Sequence, residues 1–176
     1  MLLHGSNHSC GLACLGFDSI VSSHCHVFEY GINDDDSLGV NIYSSKTGAW
    51  IFKESEWGKG IVVSTYGKGV FINGFMHMLE FTQIAAVDME GKTWRKNRRP
   101  TGDAISIHEA QGPLCLCTTD TLNMYELSIW ILQDYGTSKW TFKYKVTTLV
   151  LFGKKNIEIG TEVCDANYRV IAVHPE

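Results

Sequence analysis

Three tryptophans, Trp50, Trp94 and Trp140, recur after 44 and 46 residues, a spacing that matches the length of one blade-sized structural repeat. Each ends the same local pattern of apolar segment, polar turn and Trp: Asn41 to Trp50, Ala85 to Trp94, and Ile131 to Trp140. Asp88 and Asp134 stand six residues before their Trp, Ser44 takes that place in the first unit, and Gly48, Gly91 and Gly136 fall inside the turns. Glycine supplies the positive φ that a short hairpin needs, and Asp or Ser can hydrogen-bond the turn's own backbone. The pattern therefore predicts three equivalent hairpins.

The remaining segments also read as strands. Val70 to Leu79 precedes the second hairpin and Gly112 to Cys117 precedes the third, so each hairpin gains an inner strand and each unit has three or four. Tyr125 to Leu132 is apolar on both alternating faces, with Leu127, Ile129 and Ile131 opposite Trp130 and Leu132. A sheet with one wet face would alternate apolar with polar, so this one must be covered on both sides. Stacked blades provide that cover. The expected fold is all-β, a partial β-propeller of about three to four antiparallel blades with the tryptophans as filler between them. The alternative is a β-sandwich with three bulky core tryptophans, which gives no reason for the repeat.

With 176 residues, 44% of them hydrophobic, the chain has material for one domain. A net charge of −4 and a pI near 6.0 argue against a general nucleic-acid binder. No apolar run reaches the ~18 residues of a membrane span. Met1 to His8 lacks the basic and apolar regions of a signal peptide, so a cytoplasmic or nuclear setting is expected. Six cysteines there read as free thiols, with Cys115 and Cys117 on one face of a strand as small hydrophobes.

Four segments carry a resemblance: Val70 to Leu79, Ile84 to Trp94, Leu127 to Trp140 and Tyr168 to Glu176. They closely resemble the F-box-associated, kelch-like domain of plant F-box proteins, and Gly16 to Phe28 resembles the stretch that leads into it. The likeness runs from about residue 12 to the end, and the third Trp hairpin is its most specific part. It implies residues 1–25 as a flexible lead-in and residues 26–176 as a kelch-like propeller domain truncated at both ends. It also implies a substrate-receptor role in a cullin-based ubiquitin ligase, with a protein substrate as partner. No F-box is found in the sequence, so direct binding to the ligase adaptor is not expected.

Catalytic motifs are missing: no G-x-S-x-G, P-loop, H-E-x-x-H or dinucleotide fingerprint occurs. The expectation is a non-enzymatic protein-binding module that needs no cofactor. His4, His8, Cys10, Cys14, His24, Cys25 and His26 can supply zinc ligands, but their spacing fits no standard finger; the plainer reading is a terminal segment with partly buried cysteines. His77, inside an apolar run, reads as a hydrogen-bonded core histidine. Lys92, Arg95, Lys96, Arg98 and Arg99 form a basic run, and Asp34 to Asp36 an acidic one. Such runs are usually solvated loops. The functional reading makes the basic run a dock for an acidic or phosphorylated partner. If the three hairpin turns emerge on one rim, Lys46, Glu90, Lys92, Arg95, Tyr135 and Thr137 form one composite partner-binding surface. The rival readings are a lectin-like or small-ligand-binding propeller and a zinc-dependent protein using the N-terminal His/Cys cluster.

Overall fold

The computed structural model describes residues 13–17, 23–32, 38–56, 69–80, 82–120 and 125–153. The resembling segment Tyr168 to Glu176, the run Asp34 to Asp36, and His4, His8 and Cys10 lie outside the described residues. The described residues are all-β with one short helix. Among them three antiparallel four-stranded sheets follow one another along the chain, and none closes into a barrel. The first comprises β1 (Ala13–Gly16), β2 (His26–Ile32), β3 (Leu38–Ser44) and β4 (Ala49–Glu54). The second comprises β5 (Val70–Ile72), β6 (Phe75–Leu79), β7 (Gln83–Asp88) and β8 (Trp94–Arg98). The third comprises β9 (Asp103–Glu109), β10 (Leu114–Thr119), β11 (Glu126–Asp134) and β12 (Lys139–Thr147), followed by α1 (Thr148–Phe152). Strands lie side by side in chain order in every sheet. Three serial meanders thus stand where a sandwich would have two facing sheets.

Two details differ from the sequence reading. The run Val70 to Leu79 is two strands, because Asn73 and Gly74 both take positive φ (51° and 79°) and turn the chain between Ile72 and Phe75. Asn-Gly is the preferred pair for such a turn. The first sheet also starts before residue 26: β1 lies within the stretch read as lead-in and pairs with β2 through Cys14–Phe28 and Gly16–His26. Its alternation buries Cys14 and Gly16. A Cβ at Gly16 would sit 2.8 Å from the Phe71 ring, so β1 approaches β5 too closely for a larger residue.

Cross-strand rows organise the packing. Phe71, Met76, Val87 and Trp94 lie opposite one another across the second sheet and pack against Cys14, Phe28, Tyr30, Val40 and Ile42 of the first. The other face of the second sheet, through Ile72, Leu79 and Ile84, packs on Ile107, Leu114, Leu116 and Leu132 of the third, with Trp130 and Trp140 against the cluster. The second sheet is therefore covered on both faces. In β11, Leu132 faces this cluster while Leu127 and Ile129 join Cys117 and Val146 on the opposite side. The two apolar faces read from the sequence are both used.

Trp94 and Trp140 fill gaps between sheets as expected, and the Trp140 indole N–H donates to the Arg98 carbonyl at 2.8 Å. Trp50 does not. It is 50% exposed and leans on Tyr43 of its own sheet at 5.4 Å between ring centroids, because no described sheet lies on its side of the first sheet.

The Asp positions act as read. Asp88 accepts the backbone N–H groups of Glu90, Lys92 and Thr93 at 3.1, 2.8 and 2.9 Å. Asp134 accepts from the Gly136 N–H at 2.8 Å and the Thr137 hydroxyl at 2.7 Å. Their glycines differ. Gly48 and Gly91 have positive φ (67° and 66°), but in the third turn Ser138 (53°), not Gly136, takes the left-handed place. Left-handed backbone costs a side-chain-bearing residue roughly 1–2 kcal/mol. Ser138 offsets this with its hydroxyl, which meets the Asn97 amide and the Arg98 N–H of the second sheet, each at 3.2 Å.

Two mutant series test this packing by urea unfolding. Trp94→Ala and Trp140→Ala should each lose about 2–4 kcal/mol, short of the full range for buried aromatics because both are partly exposed, whereas Trp50→Ala should lose under about 1 kcal/mol. Equal losses at all three would remove the distinction drawn here. Ser138→Ala should lose about 1–2 kcal/mol through the broken bonds, and Ser138→Gly should lose less, since it relieves the strained φ. The reverse order would refute the strain argument.

Candidate protein-binding surface

The six candidate residues fall on three equivalent turns and the strand after the second. Lys46 is exposed in the β3–β4 turn. Glu90 and Lys92 are exposed in the β7–β8 turn, where they pair with each other at 2.5 Å and Glu90 raises the Lys92 pKa. Thr137 is exposed, with its hydroxyl committed to Asp134; that bond and the Gly136 N–H hold the Asp134 carboxyl below its usual range. These turns do more than stand on a rim. The β7–β8 turn presses Gly91 against Lys53 and Ile42 of the first sheet, with the Lys53 stem where a Cβ would go. The β11–β12 turn docks on β8 of the second, where the Asn97 amide donates to the Tyr135 carbonyl at 2.7 Å. The second and third turns each clamp their sheet to the preceding one.

Arg95 and Tyr135 are the pair the structure brings together. Alternation along β8 points Trp94 toward the first sheet and Arg95 toward the third. The Arg95 guanidinium lies 3.7 Å from the Phe75 ring centroid and 5.8 Å from that of Tyr135. It is exposed, with no carboxylate partner among the described residues. Stacking on an aromatic face holds a guanidinium without consuming its N–H donors. The same alternation splits the basic run: Lys96 and Arg98 are exposed on the other side of β8, and Arg99 turns back to donate to the Gly102 carbonyl at 2.6 Å. The run is not one patch. Among the described strands β8 is the outer one of its sheet, where Lys and Arg also guard against edge-to-edge pairing.

Beneath Arg95 lies a buried polar seam of which sequence reading foresaw only His77, the hydrogen-bonded core histidine. His77, 1% exposed, meets the Phe75 carbonyl through Nδ1 at 3.1 Å and the Tyr135 ring at 5.5 Å. Its Nε2, the Tyr135 hydroxyl and Asn97 Oδ1 are buried with no hydrogen-bond partner among the described residues. Burial lowers the His77 pKa from 6.5 to about 4; the Phe75 and Val70 carbonyls oppose the shift and Arg95 adds to it. Burial also raises the Tyr135 pKa, against the pull of Arg95. Asn97, the one polar side chain of β8 that is fully buried, was the available signal within an otherwise charged strand.

Of the N-terminal His/Cys cluster, Cys14 faces the core between the first and second sheets, and burial raises its thiol pKa. Cys25 is half-buried beside Ser45, whose hydroxyl accepts its N–H at 3.0 Å. Among the described residues no three His, Cys, Asp or Glu side chains converge as a metal site would require. No described helix is long and apolar enough to cross a membrane. Compared with known proteins, the chain matches no family model and no curated sequence.

The His77 environment predicts a pH dependence. The folded pKa, about 4, is below the unfolded 6.5, so the unfolded chain takes up the proton first as pH falls. The contribution is complete above 6.5 and declines toward 4, by roughly 2–3 kcal/mol at pH 4.5. Urea unfolding at pH 7.5 and 4.5 should show a larger drop for the wild type than for His77→Gln. Equal drops would place the titration elsewhere.

Proposed function

We propose that the chain is a non-enzymatic protein-binding module whose serial sheets are blades of a partial, kelch-like propeller. The recognition surface is the outer edge of the junction between the second and third sheets. What supports this best is Arg95: exposed, stacked on Phe75, beside Tyr135 and without a carboxylate partner among the described residues. Arginine and tyrosine are the side chains that most often dominate protein interfaces. A guanidinium held in place before binding loses little freedom when a carboxylate or phosphate arrives, and it can bind either bidentately. The partner is thus a protein segment carrying acidic or phosphorylated groups. Glu90, Lys92, Thr137 and Lys46 extend the surface along the equivalent turns. Together with the resemblance to F-box-associated domains, this favours a substrate-recognition role in a cullin-based ubiquitin ligase, the described sheets serving as the recognition half.

The test is capture of protein partners by the full chain, followed by affinity measurement on the partner recovered. Arg95→Ala and Tyr135→Ala should each weaken binding at least about 30-fold, near 2 kcal/mol. Arg95→Lys should lose most of the same affinity, because an ammonium cannot make the paired contacts. Lys46→Ala should change it by less than about threefold. Unchanged binding in both Arg95→Ala and Tyr135→Ala would displace the surface from this junction.

A further inference from the structure

We infer that the outer face of the first sheet docks the third sheet of a second copy of this chain, so that two chains close head to tail. The inference rests on the blade reading above and extends it to the ends of the sheet series. The first sheet repeats the row that buries the second. Leu15, Val27, Tyr43 and Trp50 lie opposite one another across its four strands, in the order in which Phe71, Met76, Val87 and Trp94 cross the second sheet. The second row is packed on a neighbour. The first is open: Leu15 is 68% exposed and Trp50 50%. A four-strand apolar row of this kind is built to be covered by another sheet.

The existing junctions say what kind of surface covers it. In each, the turn before a Trp settles on the preceding sheet's outer strand, three residues past that sheet's own Trp. Lys53 receives Gly91, and Asn97 receives Tyr135 and Ser138. The corresponding residue of the third sheet is Lys143, three past Trp140. It is exposed, and Tyr144 beside it is 58% exposed. Ile129 and Val146 flank Tyr144 on that face and are half-buried. The first sheet's turn at 45–48 is likewise exposed throughout. The chain thus carries both halves of one further junction, the turn and row on the first sheet and the receiving strand on the third. Charge agrees: Glu29 and Glu54 are exposed on the strands of the open row, and Lys139 and Lys143 on β12.

A contact between different surfaces of identical chains either closes or grows into a fibre. The three sheets among the described residues become six in two chains, and closed propellers have about four to eight blades. A mutual exchange of the same junction therefore closes at two chains.

Sedimentation equilibrium on the full chain should find a two-chain species. Trp50→Glu and Tyr144→Glu should each weaken association about tenfold or more while leaving the far-ultraviolet circular dichroism unchanged, since both side chains are exposed. Mixing the two variants is the decisive arm. Each retains the half the other lost, so the mixture should restore a two-chain species through one intact junction. A wild type that stays monomeric, growth beyond two chains, or loss with Trp50→Glu but not with Tyr144→Glu would each overturn the inference, the last by showing front-to-front pairing. Failure here is separable from failure of the blade reading. A monomer still destabilised by Trp94→Ala and Trp140→Ala keeps the internal junctions, and one indifferent to both loses them as well.

Discussion

Sheet-on-sheet packing through the turn and the tryptophan is the interaction on which the rest of the structure depends. Four-stranded meanders with strands as short as the three residues of β5 bury too little on their own to be stable. Each becomes stable only by laying one face on the next, as the second sheet does on both sides. The clamp also fixes the angle of approach. Gly91 lets a turn settle on the Lys53 stem, Ser138 and Asn97 bond one turn to the sheet before it, and the Trp140 indole reaches the Arg98 carbonyl. Replacing any of these disturbs the junction between two sheets more than the sheet that carries it.

Much of this was legible because periodicity survives without neighbours. Regular Trp spacing, Asp six residues ahead and two-faced apolarity in β11 all report local requirements, and the hairpins are where they point. Two readings failed where a second sheet decides the outcome. Gly136 occupies the third turn without supplying its positive φ, because the Ser138 hydroxyl is needed across the junction. Trp50 has the sequence of a filler and the exposure of a surface residue, since a local pattern cannot say whether a neighbour is present. The split at Asn73–Gly74 is different: that signal is local, and the flanking residues, apolar except for His77, hide it within one apparent strand.

The candidate surface was half legible. Arg95 and Tyr135 were placed near each other by assuming equivalent hairpins, and the assumption holds for them because Tyr135 belongs to a turn that docks on the sheet carrying Arg95. The basic run misled. Consecutive charges look like one patch in a sequence, yet β8 sends alternate side chains to opposite sides. Only Arg95 reaches the aromatic pair, and the others serve as well to protect an unpaired edge.

His77, Tyr135 and Asn97 bear on why this junction, of the two, is the one proposed for recognition. The first junction is lined mainly by apolar side chains such as Met76, Met78, Val87 and Phe28, with Tyr30 among them, whereas the second gathers His77 Nε2, the Tyr135 hydroxyl and Asn97 Oδ1, buried with no hydrogen-bond partner among the described residues. Each such atom costs about 1–3 kcal/mol, a substantial fraction of the ~5–15 kcal/mol that holds a typical domain together. An apolar residue in place of His77 would avoid part of that cost. Neutral His77, however, sits beneath Tyr135 and beside Phe75, the two rings against which Arg95 lies. A charged imidazole there would repel the guanidinium, so the burial that keeps His77 neutral also keeps Arg95 in place. The destabilised seam and the exposed cation are parts of one arrangement, in which buried polarity positions the side chain proposed to meet a partner.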